Sequence, residues 1–263
     1  MSVYALLSDL ALFALQVVAL YSLSRILFVW VLQATVTRGQ KGGWIINALR
    51  LPGNTIHELG HAIGYRLCGY RVKEVVSCLG DPEGRGKCVP GEAWCPLAVP
   101  WIATSAAAVF PLLFGTAILW ALAEVLGIPL RHGGIQAQDG PLLYLWDSIR
   151  EALIALDFGS WRTIVFLYLA FSIGAELAPS QSDLRQGMGP LLAMAGIVGI
   201  VALWLGLVHP DAPVWRLFFH GATRALELLS PLLVFGIITT GVAAVLLVPL
   251  AVVVRGMRRI FAV

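Results

Sequence analysis

Charge is scarce in this sequence: Asp, Glu, Lys and Arg make up 13% of its 263 residues, about half the share usual in a soluble domain. A chain so poor in charge does not stay unfolded in water, which excludes disorder. The net charge is only +3, and the basic residues are scattered rather than gathered on one stripe, so no nucleic acid partner is expected. Cysteine is sparse as well. Cys68, Cys78, Cys88 and Cys95 lack the paired C-x-x-C spacing of a structural zinc site. The stretch MSVYALLSDLALFAL has no positively charged leader region, so it is read as a signal anchor rather than a cleaved peptide. Internal repeats and low-complexity tracts are missing too. Residues 1–263 are read as one integral-membrane domain, with a core at about 50–190 and flanking helices in 1–37 and 209–263.

Apolar surface, by contrast, is abundant: 59% of the residues are hydrophobic and the mean hydropathy is +0.83. No soluble fold of this size hides so much, which makes the lipid bilayer the expected solvent. The expected fold is an all-α multi-pass membrane protein with about six transmembrane helices, near 4–34, 51–68, 97–128, 161–178, 188–208 and 230–254, each set against an apolar core of about 30 Å. The segment 51–68 is short and polar for a span, which predicts a shielded place in the bundle centre. Residues 38–50 read as a loop. After 51–68, YRVKEVVSC and GKCVPGEAW read as two short strands around the DPEGRG turn, a β-hairpin. Centring that hairpin on Glu83 sets Cys78 opposite Cys88, as thiols in a reducing compartment or as a disulfide in an oxidising one; the thiol reading is preferred. Interfacial amphipathic helices are expected within 131–160 and after Pro213. Lys and Arg fall on both sides of a six-span layout and assign no orientation, and the tryptophans near span ends read as an aromatic belt.

Chemistry concentrates in His57-Glu58-Leu59-Gly60-His61, within LPGNTIHELGHAIGYRLCGY. Positions i and i+4 of a helix share a face, so both imidazoles reach one ion, and Glu58 stands one step round, beside the water such an ion would bind. Zinc is the expected cofactor. It takes neutral nitrogen donors, keeps a position open and lowers the pKa of bound water to about 7. By chance H-E-x-x-H arises roughly 0.003 times in a chain of this composition. The plain alternative pairs Glu58 with Arg66 and leaves the histidines bonded to backbone, but three ionisable groups within five residues are costly in a bilayer unless they serve a site. Pro52 and Gly53 are read as opening the helix with Asn54 or Thr55 as its cap, and Gly60 and Gly64 as a small-xxx-small pair that admits a neighbouring helix.

A catalytic zinc takes a third protein ligand. Glu124, Asp147, Glu176 and Asp183 are candidates, and Asp183 leads. It stands in GAELAPSQSDLR, a polar, proline-bearing break between apolar spans, where irregular backbone at membrane depth is expected to line a cavity. Glu176 is the second choice. Asp183 is placed just before the next helix, with Ser180 or Ser182 helping to cap it, and Asn54, Ser180 and Gln181 are candidate lining residues for a water path. His132, His209 and His220 read as solvated or headgroup-facing.

With these residues the chain resembles the site-2 protease class of intramembrane zinc metalloproteases. Those enzymes carry H-E-x-x-H on one membrane helix and an aspartate on a later one, after a proline-containing break. The resemblance implies metal ligation by His57, His61 and Asp183, with Glu58 as general base. Residues 70–95 look like the β-rich segment that follows the motif helix in that class, and AVFPLLFG at 108–115 is loosely similar to its next helix. The chain departs from the usual asparagine-proline and aspartate-glycine pattern, having Glu176, Pro179 and Asp183-Leu184 instead. The implied activity is zinc-dependent endopeptidase cleavage of a membrane-anchored protein substrate. Alternatives are a second membrane protease type with Glu176 as ligand, a non-proteolytic pseudoenzyme or metal-binding partner protein, and a metal transporter; the intact Glu58 weighs against the pseudoenzyme, and the few ionisable groups outside the motif helix weigh against the transporter.

Overall fold

Backbone groups in lipid must be satisfied within their own segment, and this chain meets that demand almost wholly with helices. A computed structural model describes residues 3–32, 43–80, 86–129, 141–177 and 213–261, together with Asp183, Arg185, Gly187, Gly189, Ile200 and Trp204. In chain order the elements are α1 (Val3–Ile26), continued by a π-helical segment (Leu27–Leu32), α2 (Gly43–Leu67), β1 (Tyr70–Val76), β2 (Lys87–Ala93), α3 (Pro100–Leu126), α4 (Pro141–Ala155), α5 (Trp161–Glu176) and α6 (Pro213–Phe261).

Among the described residues three helices are long and apolar enough to cross a membrane: Leu10–Trp30, Pro100–Leu126 and Thr223–Val253. They match the first, third and last of the six expected spans. The expected spans 51–68 and 161–178 are helical but do not qualify on the same grounds. α2 is too polar, and α5, at 16 residues, falls short of the roughly 20 that a bilayer core needs. The span read at 188–208 lies almost wholly outside the described residues.

α1, α3, α5 and α6 share one apolar core, in which Leu20, Leu119, Phe166, Ile173, Phe235 and Ile238 are almost fully buried. α4 is the expected amphipathic helix: Ile149 and Ala152 are buried while Asp147, Arg150 and Glu151 are exposed, and Ile149 rests on Gly241 of α6. Two expectations need correction. The segment 38–50 is not all loop, since Gly43 to Arg50 form the first two turns of α2. The helix expected after Pro213 and the span expected at 230–254 are not separate elements either; α6 runs unbroken for 49 residues through Pro231 and Pro249, because membrane helices absorb prolines where neighbours re-satisfy the freed backbone groups.

The β-hairpin follows α2 as expected. Gly69, at φ +84°, supplies the left-handed turn that ends the helix, a conformation other residues adopt only at a cost. Its carbonyl accepts both the Trp94 and Cys95 N–H groups, at 2.9 and 3.3 Å, so the chain returns to its starting point after β2. The strands pair antiparallel with Val75 opposite Cys88 and Val76 opposite Lys87, and irregularities interrupt the ladder between Tyr70 and Glu74. The expected facing of Cys78 and Cys88 therefore fails. Cys78 lies beyond the end of β1, where its N–H donates to Asn54 Oδ1 at 2.7 Å and its thiol to the Asn47 carbonyl at 3.3 Å. All four cysteines are free thiols.

Candidate metal centre

α2 reaches the bundle interior because its neighbours approach it at backbone distance. A Cβ added to Gly60 would stand 2.6 Å from Pro111 Cα, and one on Gly64 2.7 Å from Ala107 Cα. These two glycines, four residues apart, meet two positions of α3 that are also four apart and in reverse order, so the helices run antiparallel in direct contact. On its other flank, a Cβ on Gly53 would collide with the Ser172 carbonyl of α5. The Gly53 N–H donates to Ser172 Oγ at 3.0 Å. That contact lets α2 continue through Pro52, which the sequence marked as the start of the helix. Asn54 is accordingly no cap; its side chain holds the end of β1 through Cys78.

Within this packed seam His57, Glu58 and His61 are all buried, at 7%, 5% and 8% exposure. His57 Nε2 and His61 Nε2 lie 3.1 Å apart. Asp183 Oδ2 is 3.7 Å from His57 Nε2, and Asp183 Oδ1 is 3.5 Å from His61 Nε2. Bonds of about 2.0–2.1 Å in a tetrahedral shell set donors about 3.3–3.4 Å apart, so these separations suit such an ion. The three residues form a group that can hold a metal ion.

Local bonding explains why the rings point as they do. A carbonyl only accepts, so the 2.8 Å contact between His61 Nδ1 and the Ala107 carbonyl is an Nδ1–H donation, which leaves the Nε2 lone pair free to face the ion. Ala107 has this oxygen to offer because position 111, four residues on, is a proline inside α3 and carries no N–H. His57 Nδ1 is buried with no partner among the described residues.

Asp183 is fixed from both sides. It has helical backbone itself, rather than standing outside the helix as expected. Four residues on, Gly187 packs against Ala108 so tightly that a Cβ would overlap it, and the Gly187 carbonyl accepts from Ser105 Oγ at 3.4 Å. Seven residues before it, Glu176 Oε1 accepts from Arg50 Nε at 2.6 Å. Arg50 likewise precedes His57 by seven residues, about two helical turns. The ion pair and the histidine–aspartate group are thus two rungs between the same two stretches of chain. The Arg50 guanidinium also stands 5.5 Å from the Phe28 ring, in the π-helical segment. Glu176 is committed to this pair and does not join the metal-ligating group.

Glu58 lies under the hairpin. A side chain at Gly86 would run into Asn54 Oδ1 and come within 2.7 Å of Glu58 Oε1, so the backbone just before β2 covers the carboxylate. Arg66 is exposed, and no ion pair joins it to Glu58 among the described residues. Of the other candidates, Glu124 accepts from Trp120 Nε1 at 3.3 Å near the end of α3, Asp147 is exposed on α4, and His220 is exposed on α6. Ser180, Gln181, Ser182, His132 and His209 lie outside the described residues. Sequence reasoning passed over Ala107, Pro111, Gly86, Gly187 and the bonded role of Arg50. Only Pro111 carried a visible signal, a proline at mid-helix.

None of the protein-family models, curated proteins and solved structures compared with this chain matches it.

Proposed function

We propose that this protein is a multi-pass intramembrane zinc metalloprotease that hydrolyses peptide bonds of membrane-anchored protein substrates. The observation that carries the reading is the convergence of His57 Nε2, His61 Nε2 and the Asp183 carboxylate within 3.1–3.7 Å of one another, on a helix packed among apolar helices with Glu58 buried beside them. The resemblance of the motif and the later aspartate to site-2 proteases points the same way. In this reading α2, α5 and residues 188–208 join the three long apolar helices in a six-span bundle.

Zinc, when bound, supplies a Lewis acid for the scissile carbonyl and a water of lowered pKa. The chain's residues supply the rest. His57, His61 and Asp183 hold the ion, with the Nδ1–H of His61 tied to Ala107. Glu58 takes the proton from water and hands it to the leaving amine, as a positioned carboxylate does in general base and then general acid catalysis. Burial beneath Gly86 keeps bulk solvent from that carboxylate. A substrate must arrive extended, since helical backbone is already bonded and closed to attack. The two-stranded sheet leaves each strand one edge unpaired by any described strand. β1 carries an uninterrupted row of N–H groups, whereas Pro90 breaks that of β2, so β1 is the edge for strand addition.

Metal analysis with a cleavage assay tests the reading. Glu58→Gln should keep its zinc and lose about 10²–10⁴-fold in cleavage rate, while Asp183→Ala should lose zinc. Undiminished cleavage by Glu58→Gln, or full zinc occupancy in Asp183→Ala, would overturn it. A proline at an outward-facing N–H of β1 should slow cleavage while zinc stays bound; an unchanged rate would remove the strand from substrate recognition.

A further inference from the structure

A histidine that ligates a metal through Nε2 needs its Nδ1–H held, because that bond selects the tautomer and fixes the plane of the ring. Soluble sites often use a carboxylate for this. Here the acceptor is the backbone carbonyl of Ala107, within a helix, at 2.8 Å. Inside a regular helix a carbonyl is already engaged by the N–H four residues on. The residue four on from Ala107 is Pro111, which has no N–H and whose ring crowds the carbonyl of residue i−4.

Two further contacts bring that carbonyl to the imidazole. Gly60 meets Pro111 and Gly64 meets Ala107, so α2 and α3 touch backbone to backbone around His61, and the ring spans the seam. We infer that Pro111 is a positioning residue for the metal site: it releases the Ala107 carbonyl from α3 so that this oxygen can orient His61 toward the ion. The inference rests on the metal-site reading of His57, His61 and Asp183. Pro111 takes no part in the reaction and is not one of the metal-ligating residues, which makes its effect separable from that of the ligands.

The proposal predicts two effects of opposite sign in one variant. Pro111→Ala keeps a Cβ where Gly60 packs but adds an N–H, which re-engages the Ala107 carbonyl within α3. A helix relieved of an internal proline should not lose stability, so the metal-free protein should unfold at the same or a higher temperature. Zinc affinity should nevertheless fall by about 10- to 100-fold, the usual consequence of removing a partner that orients a ligand. In the metal-free protein labelled with ¹⁵N-histidine, the wild type should show His61 as the Nδ1–H tautomer and Pro111→Ala should show a shift toward Nε2–H.

The experiment titrates zinc against a competing chelator with the full-length protein in detergent, for the wild type, Pro111→Ala, Pro231→Ala, His61→Ala and Asp183→Ala. Pro231→Ala, which changes an internal proline of α6, should bind zinc as the wild type does. Loss of affinity in His61→Ala and Asp183→Ala but not in Pro111→Ala would overturn this inference and leave the metal site standing. Equal losses in Pro111→Ala and Pro231→Ala would overturn it as a general helix effect. Wild-type zinc binding in His61→Ala and Asp183→Ala would overturn the metal site itself.

Discussion

The seam between α2 and α3 and the contact between α1 and α6 are built on opposite plans. α1 and α6 are long and apolar, and they bury Leu20, Leu233 and Phe235 in a shared core, with Leu20 against Gly236 and a polar tie from Gln16 Nε2 to Ser230 Oγ at 2.8 Å. α2 carries Arg50, His57, Glu58 and His61 and meets α3 through Gly60 and Gly64 with backbone almost touching. Side-chain volume holds the first pair together and its absence holds the second. A polar helix is tolerated at the centre because close approach supplies its charged and ring groups with fixed partners, the Ala107 carbonyl and Glu176 among them, in place of water.

Breaking the buried ion pair should disturb the polar seam most. With side chains 15% and 9% exposed, Arg50→Ala leaves the Glu176 carboxylate buried without its cation and Glu176→Ala removes the acceptor of the Arg50 Nε–H, each at a cost of about 3–5 kcal/mol. The double replacement by Met and Leu should recover most of that loss. Chemical unfolding in detergent measures both, and single variants within 1 kcal/mol of the wild type would show that the pair holds nothing. Glycine substitutions sharpen the comparison next. Gly60→Val puts branched bulk against Pro111 and should cost at least about 1–3 kcal/mol. Gly221→Ala, more than two turns inside α6 with open space around it, should instead stabilise by about 0.5–1 kcal/mol, because it only removes backbone freedom. Equal effects at the two sites would erase the distinction.

The smallest effect concerns the hairpin. Burial, and then the nearby Glu58 carboxylate, push the Cys88 thiol up to about 11. The thiolate is the reactive form, so alkylation of Cys88 in the folded protein should be slow at pH 7 and rise about tenfold per pH unit through pH 9. Mass spectrometry of iodoacetamide-treated protein reads this site by site. A plateau by pH 9 would mark an ordinary exposed thiol.

Hydropathy revealed the long apolar helices of the fold and was weakest at the candidate metal site. Long apolar runs announced Leu10–Trp30, Pro100–Leu126 and Thr223–Val253, because length and hydrophobicity are recorded in side-chain type. The histidines were legible for a similar reason: fixed spacing on one helix turn is a property of neighbours in sequence. Asp183 stood out through the polar, proline-bearing stretch around it. What stayed hidden depends on residues far apart in the chain or on backbone atoms that no residue type announces. Glu176 looked like a spare ligand until Arg50, 126 positions away, occupied it. The Ala107 carbonyl has no signature beyond the proline that frees it. The start of α2 was misplaced because Pro52 is a sound start signal in isolation, and the Ser172 hydroxyl that engages the next N–H lies on another helix.

Because the Gly69 carbonyl receives both Trp94 and Cys95, the hairpin leaves and rejoins the helical framework at one stitch, while Cys78 and Gly86 pin its far end to Asn54 of α2. Its length and tip can change without moving the point where α2 hands over to α3. Insertions at the far turn should therefore leave that stitch in place while loosening the cover over Glu58, so the tip of the hairpin answers to the site and its base to the helices.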